Sequence, residues 1–146
     1  MVSSVSIGIA KKEEAPAIMA LLESCELPQD GLSDHLATTI VARYSGNVVG
    51  SAALELYGEN ALLRSVAVEE SMRGQGLGRR LTASAMNLAR QRGIAEIYLL
   101  TQTASSFFSR FGFKPISRSD VPGSVQNSVE FRKACPATAL VMKMDL

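Results

Sequence analysis

The sequence predicts an α/β domain with a mixed, mostly antiparallel central sheet flanked by helices. Three observations carry this. Between positions 38 and 68, three β-branched and apolar segments follow one another across short turns containing Gly and Asn, which makes them antiparallel neighbours. From position 77 the apolar spacing becomes three and four residues, so Leu77, Leu81, Ala85 and Leu88 share one face of a helix. The nearly all-apolar segment Glu96–Thr101 (EIYLLT) comes next, as a central strand covered on both faces would.

In chain order, Val5–Ile9 (VSIGI) alternates weakly and is expected to be the first strand. Ala15–Leu22 (APAIMALL) has helical spacing, and Pro16 suits its first turn, where a missing N–H costs no hydrogen bond. Pro28 and Gly31 break the stretch Cys25–Leu36 into a loop with a short helix. Thr38–Tyr44 is the next strand, Ser45-Gly46-Asn47 turns the chain, and Val48–Tyr57 returns. Gly58-Glu59-Asn60 turns it again into Ala61–Val68. Arg90 and Arg92 sit in the last turn of the helix that opens at Leu77, with Gly93 just beyond, as the negative end of a helix favours. A short helix over Ala104–Phe111 stops at Gly112, and Phe113–Ile116 and Thr138–Met144 are candidate closing strands. Ser117–Pro136 has no assignable pattern.

The 146 residues make one domain, 1–146. A 47% hydrophobic and 20% charged composition is that of an ordinary globular chain. The net charge of +1 gives no reason to expect nucleic acid or an anionic membrane as partner. No apolar run approaches the about 20 residues a bilayer requires. The opening MVSSVSIGIAKKEE lacks the basic start and unbroken apolar stretch of a secretory signal, so a cytoplasmic location is expected. Cys25 and Cys135 lie far apart, form no CxxC motif and are expected to be reduced thiols. With His35 as the single histidine, no metal site is expected.

The segment Ser71–Leu81 (SMRGQGLGRRL) stands directly before the long helix. A helix N-terminus leaves backbone N–H groups unpartnered and carries partial positive charge. Glycines there let a diphosphate approach closely, and Arg73, Arg79 or Arg80 can add charge-assisted bonds. The competing reading is a flexible, glycine-rich helix start. A P-loop is excluded, because no Gly-Lys-Ser/Thr occurs. A dinucleotide fingerprint fails too: Arg79 stands at its third glycine, and Glu96 begins its strand where a ribose-binding acid should end one.

Arg73-Gly74-Gln75-Gly76-Leu77-Gly78 resembles the R/Q-x-x-G-x-G/A signature of the GNAT superfamily of acyl-CoA-dependent N-acetyltransferases, and it follows the apolar strand end Val66-Ala67-Val68. Ala104–Phe113 (AxxFFxRxGF) is similar to that family's AxxxYxKxGF segment. The segment LLTQTASSFFSRFGF with the later VP and CPATALVM stretches resembles small acetyltransferases of arsenic-resistance operons and, more distantly, the acetyltransferase domain of N-acetylglutamate synthases.

This resemblance implies a sheet splayed between its fourth and fifth strands, with acetyl-CoA as acyl donor. It implies that backbone amides from Gly74 through Gln75, Gly76, Leu77 and Gly78 to Arg79 hold the pyrophosphate, beside Arg73. It implies that main-chain groups of the Val66-Ala67-Val68 strand end pair with pantetheine, chiefly those of Val66 and Val68, and that Thr101 stands where many members place a pantetheine-binding Asn. The family's tyrosine acid is replaced by Phe108, and the glutamate some relatives use as base by Leu62, so no catalytic residue is assigned. Thr103, Ser105 and Tyr98 are the nearby hydroxyls. Phe107 and Phe108 pack the short helix, with walling of the thioester end as the other reading.

Arg64, lone charge of the apolar ALLRSVAV, is either the anchor of a substrate carboxylate or half of a structural ion pair with Glu55 or Glu96. Strand parity does not choose between them, because the expected bulge flips the face. Arg118, Arg132 and Glu130 fall in the unassigned segment, and His35 is expected to be exposed or locally bonded. The implied function is acetyl transfer to the primary amine of a small, amino-acid-like substrate, with an arsenic-linked substrate and a homodimer also in view. Acetylation of a protein N-terminus or lysine, and a non-catalytic acyl-CoA sensor, are the alternatives.

Overall fold

A computed structural model of the protein describes residues 5–134 and 139–146. Its strands are β1 (Val5–Ile9), β2 (Thr39–Tyr44), β3 (Asn47–Tyr57), β4 (Asn60–Val68), β5 (Glu96–Thr101), β6 (Lys114–Ile116) and β7 (Leu140–Asp145). The helices are α1 (Ala15–Ser24), α2 (Leu77–Gln91), α3 (Ser105–Ser109) and α4 (Gly123–Gln126). The strands form one sheet in the order β1-β2-β3-β4-β5-β7-β6. Neighbours pair antiparallel except β4 and β5, which α2 joins as a parallel crossover. That parallel pairing covers Asn60–Leu62 against Glu96–Tyr98 and stops there, so beyond Leu62 the two central strands diverge.

Helices cover both faces. On one, Leu77, Leu81, Ala85, Met86 and Ala89 of α2 pack against Leu54, Leu63 and Leu99 of the sheet. The buried stripe is centred on Leu81, Ala85 and Ala89, which leaves Leu88 half-buried at its margin. Gly50 on β3 allows the close approach: a Cβ there would meet Leu81 Cδ1 at 2.7 Å. On the other face, Ile18, Leu21 and Leu22 of α1 pack with Val41, Ala53 and Ala67.

The segment 117–134 folds as short pieces, a helical turn Arg118–Asp120, then α4, then a π-helical turn Glu130–Ala134. None is long enough to display a period in sequence, which is why this stretch resists assignment. Val121 and Val125 nevertheless pack onto Leu62, Tyr98 and Val141. Cys135 and Thr138 lie outside the described residues. Among the described residues no helix is long and apolar enough to cross a membrane.

The chain entering α1 is tied to β2 by a two-pronged ion pair. Arg43 donates from Nε to Glu14 Oε2 at 2.6 Å and from its terminal nitrogen to Oε1 at 2.8 Å, while the Lys11 N–H donates to Oε1 at 2.7 Å. These bonds, Arg43's foremost, hold the Glu14 carboxyl down to about 2 from its ordinary 4.5. A depressed folded value means stabilisation that is complete above the ordinary value and drains away as pH falls towards 2. Thermal unfolding scanned from pH 6 to pH 2.5 will therefore show an acid-side loss of stability that Arg43→Gln flattens.

Candidate active site

The site originates in one backbone irregularity. On β3 Ser51 stands opposite Ala67 and Ala53 opposite Arg64, so Ser65 and Val66 together face Ala52 as a β-bulge. Ser65 takes φ +60°, the left-handed region an L-residue enters at a cost. The Ser51 hydroxyl fixes it by donating to the Ser65 carbonyl at 2.7 Å, a bond buried in the sheet. Beyond the bulge the Glu69 N–H donates to the Val49 carbonyl at 2.8 Å. By the alternation of an antiparallel ladder, Gly50 and Val68 are then a non-hydrogen-bonded pair. The main-chain groups of Val68, and of Val66 two residues earlier, point away from β3 to the side where β5 has diverged.

That gap opens into a cleft of about 1010 Å³. Arg64 to Val68 of β4 line one wall, and Leu99, Leu100 and Thr101 of β5 with Phe107 and Phe108 of α3 line the other. One end is the loop into α2. Gly74 and Gly76 sit at φ +81° and +80° with open space where a Cβ would be, and Gly76 caps the helix. Only glycine holds two such conformations cheaply within three residues. The loop presents the first-turn N–H groups of α2 to the cleft. Gly78 lies beside Phe107, whose ring would touch a Cβ at 3.6 Å.

At the other end lies a buried charge cluster. Arg64, its side chain without exposed surface, donates from one terminal nitrogen to Glu55 Oε2 at 2.8 Å and to the Asp30 carbonyl at 2.6 Å. Its second terminal nitrogen donates to the Pro28 carbonyl at 3.2 Å. Its Nε reaches Ser65 Oγ at 3.1 Å and Glu130 Oε2 at 3.3 Å. Tyr57 donates to Glu55, and burial, with Glu55 second, pushes the Tyr57 phenol up. His35 Nε2 lies 3.7 Å from Glu55 Oε1. Of the partners weighed for Arg64, Glu55 is present and Glu96 is not, since Glu96 instead binds Lys143 at 3.0 Å.

The remaining expected residues divide between cleft and surface. Arg73, Gly74, Gly76, Leu77, Gly78 and Arg79 line the cleft with Val66, Ala67 and Val68, whereas Gln75 and Arg80 are exposed outside it. The Val68 carbonyl is already occupied, accepting from Arg73 Nε at 3.0 Å and from Cys25 Sγ at 3.7 Å. For an extended ligand that leaves the Val68 N–H unless Arg73 swings aside. Thr101 lines the cleft while its hydroxyl accepts from the Ala104 N–H at 2.9 Å, capping the turn into α3. Tyr98 is not near the chemistry: its hydroxyl donates to Glu96 at the opposite end of β5. Leu62 is buried with Val121 and Val125. Any joint site of Cys25 with Cys135 involves a residue outside those described. Ser65 and Ser51 went unnoticed in the sequence, because a bulge in an apolar strand has no composition signal.

A family model described as the acetyltransferase (GNAT) domain matches residues 35–115. An uncharacterized N-acetyltransferase of Chlorobaculum tepidum is 33% identical over 116 residues, covering 77% of this chain and 74% of the relative. This chain belongs to the GNAT acetyltransferase family. An amino-acid acetyltransferase of Neisseria meningitidis is 28% identical over 127 residues, 81% of this chain but 29% of that longer protein. In fold, the GNAT chain resembles the N-acetylglutamate synthase of Neisseria gonorrhoeae complexed with coenzyme A and N-acetyl-glutamate, with a TM-score of 0.83 at 24% identity over 97% of this chain and 35% of that one. A Mycobacterium tuberculosis protein solved with CoA gives 0.82 at 23% identity over 97% and 99% of the two chains. The splayed mixed sheet is therefore the GNAT fold, and acetyl-CoA is the acyl donor of this acyltransferase.

The donor fits the residues present. The glycine loop has room for a diphosphate, and outward amides on β4 suit an amide-bearing arm that pairs like an added strand. Gly76→Val places a β-branched side chain at φ +80° in that loop, so calorimetry will show CoA affinity at least about tenfold weaker, in keeping with lost diphosphate bonds of charge-assisted strength.

Proposed function

We propose that this acetyltransferase moves the acetyl group of acetyl-CoA to the primary amine of a small, amino-acid-like molecule in the cytoplasm. The supporting observation is the order of features along one cleft: diphosphate loop, unpaired strand edge, then the buried Arg64 cluster. Acetyl-CoA supplies an activated acyl group, and the protein aligns the amine with it. Gly74, Gly76, Leu77, Gly78 and Arg79 grip one end of the donor, the Val66 and Val68 amides hold its arm, and Thr101 lines the opposite wall. Gln75 contributes backbone only. Alignment of this kind supplies much of an acyl-transfer rate without a side-chain base.

Arg64 enters this reading in a modified role. Its guanidinium is committed to Glu55 and to the carbonyls of Pro28 and Asp30, so it holds the 28–30 loop over the acceptor end. A substrate carboxylate engages it only by displacing the Pro28 carbonyl, its longest carbonyl contact. Glu130, which also lines the cleft, brings a negative group to the same end and favours a cationic amine. Relatives named amino-acid acetyltransferases support an α-amino acid as acceptor. The likeness to arsenic-resistance acetyltransferases adds arsenical amino acids to the acceptors worth assaying, and a homodimer is the proposed assembly.

The test is mass spectrometry after incubation with acetyl-CoA and the twenty common amino acids, with free thiol followed in parallel. The expected outcome is thiol release together with an N-acetylated amino acid. Acetylation confined to added peptides would replace this acceptor class with a protein one.

A further inference from the structure

The family's tyrosine acid is a buried phenylalanine here, Phe108, yet the cleft contains a hydroxyl whose proton no structural bond uses. Ser65 is 6% exposed, lines the cleft and sits on the bulge itself. Its Oγ accepts from Arg64 Nε at 3.1 Å. A guanidinium only donates, so this bond leaves the serine proton unspent. Among the described residues that O–H donates to no protein acceptor. The proton is free to meet something in the cleft.

Position says what it meets. Along β4, moving away from the diphosphate loop, the outward-facing residues are Val68 and then Val66, with Ser65 next. A donor laid from loop to bulge brings its reactive sulfur to that end. We propose that Ser65 is the catalytic proton donor to the departing sulfur, with Arg64 and Glu55 as its positioning residues. This rests on the acetyltransferase reading above.

In the transfer, the amine attacks in its neutral form, having left its extra proton to solvent: its nitrogen forms a bond to the acyl carbon as the carbon–sulfur bond breaks, the electron pair of that bond leaving with sulfur. Ser65 gives its hydroxyl proton to that sulfur. Arg64 Nε–H stabilises the oxygen left behind, and Ser65 recovers a proton from the nitrogen that became positive on attack. No other reactant is required. The guanidinium is kept in plane by Glu55, whose other oxygen takes the Tyr57 hydroxyl. The left-handed φ gives this arrangement a purpose, because it turns the serine side chain towards Arg64 where regular strand geometry would place it on the other face.

The complex with CoA alone tests the idea without any amine. A hydroxyl donating to sulfur favours the thiolate, so the ultraviolet thiolate absorbance of bound CoA is titrated for the parent, Ser65→Ala and Ser65→Cys. The expected result is a Ser65→Ala protein that binds CoA within about threefold of the parent. Its thiolate midpoint is higher by about one pH unit or more, as the loss of a charge-assisted bond requires. Its kcat with the amino-acid mixture is about 100-fold lower, the scale of a lost general acid, and Ser65→Cys, whose thiol can donate, recovers most of it. An unchanged midpoint, a kcat loss below about threefold or failure of Ser65→Ala to bind CoA each overturns the assignment. A parent that binds no CoA brings down the acetyltransferase reading itself. That outcome is distinct from a parent whose bound thiol titrates without regard to Ser65.

Discussion

The structure depends on one residue being out of register. Two residues of β4 opposite one of β3 twist the central strand away from β5, and everything functional follows from that divergence. Without the bulge β4 and β5 would stay paired to their ends, and the peptide groups of Val66 and Val68 would be spent on β5. The bulge costs a left-handed non-glycine residue at Ser65. Two contacts offset that cost, the Ser51 hydroxyl on the Ser65 carbonyl and Arg64 on the Ser65 side chain.

Arg64 thereby links three parts of the molecule that are distant in sequence. The 28–30 loop, the bulge and the π-helical turn at Glu130 all converge on one guanidinium. An isolated buried arginine would be severely destabilising, and here it is matched by Glu55 and embedded in hydrogen bonds. Geometry rather than net attraction is what such a cluster contributes: it fixes the acceptor end of the cleft before any substrate arrives. His35, beside Glu55, lies at the cluster's outer edge, with about a quarter of its side chain exposed.

How much of this was legible in the sequence varied with scale. Hairpin turns at Gly46 and Gly58 and the period change at Leu77 are local chemistry, and local chemistry reads well: the antiparallel run β2-β3-β4 and the helix after it followed directly. The glycine loop was legible because positive φ at Gly74 and Gly76 demands glycine whatever the tertiary context. Arg64 announced itself as a charge within an apolar strand, but its partners did not, since Pro28 and Asp30 reach it through carbonyls that any residue carries. The bulge at Ser65 was foreseen in kind but not in place. The segment 117–134 stayed opaque because its helical pieces are shorter than the periods that would reveal them.

The open edge of β4 has a further consequence. Unpaired peptide groups on a central strand resemble the raw margin of an unfinished sheet, the surface through which proteins stick to one another. An occupant of the groove seals that margin and, by mass action, makes the sealed state harder to unfold. Resistance to heat and to proteolytic opening therefore climbs with the concentration of the acyl carrier, most steeply for the segments that border the groove.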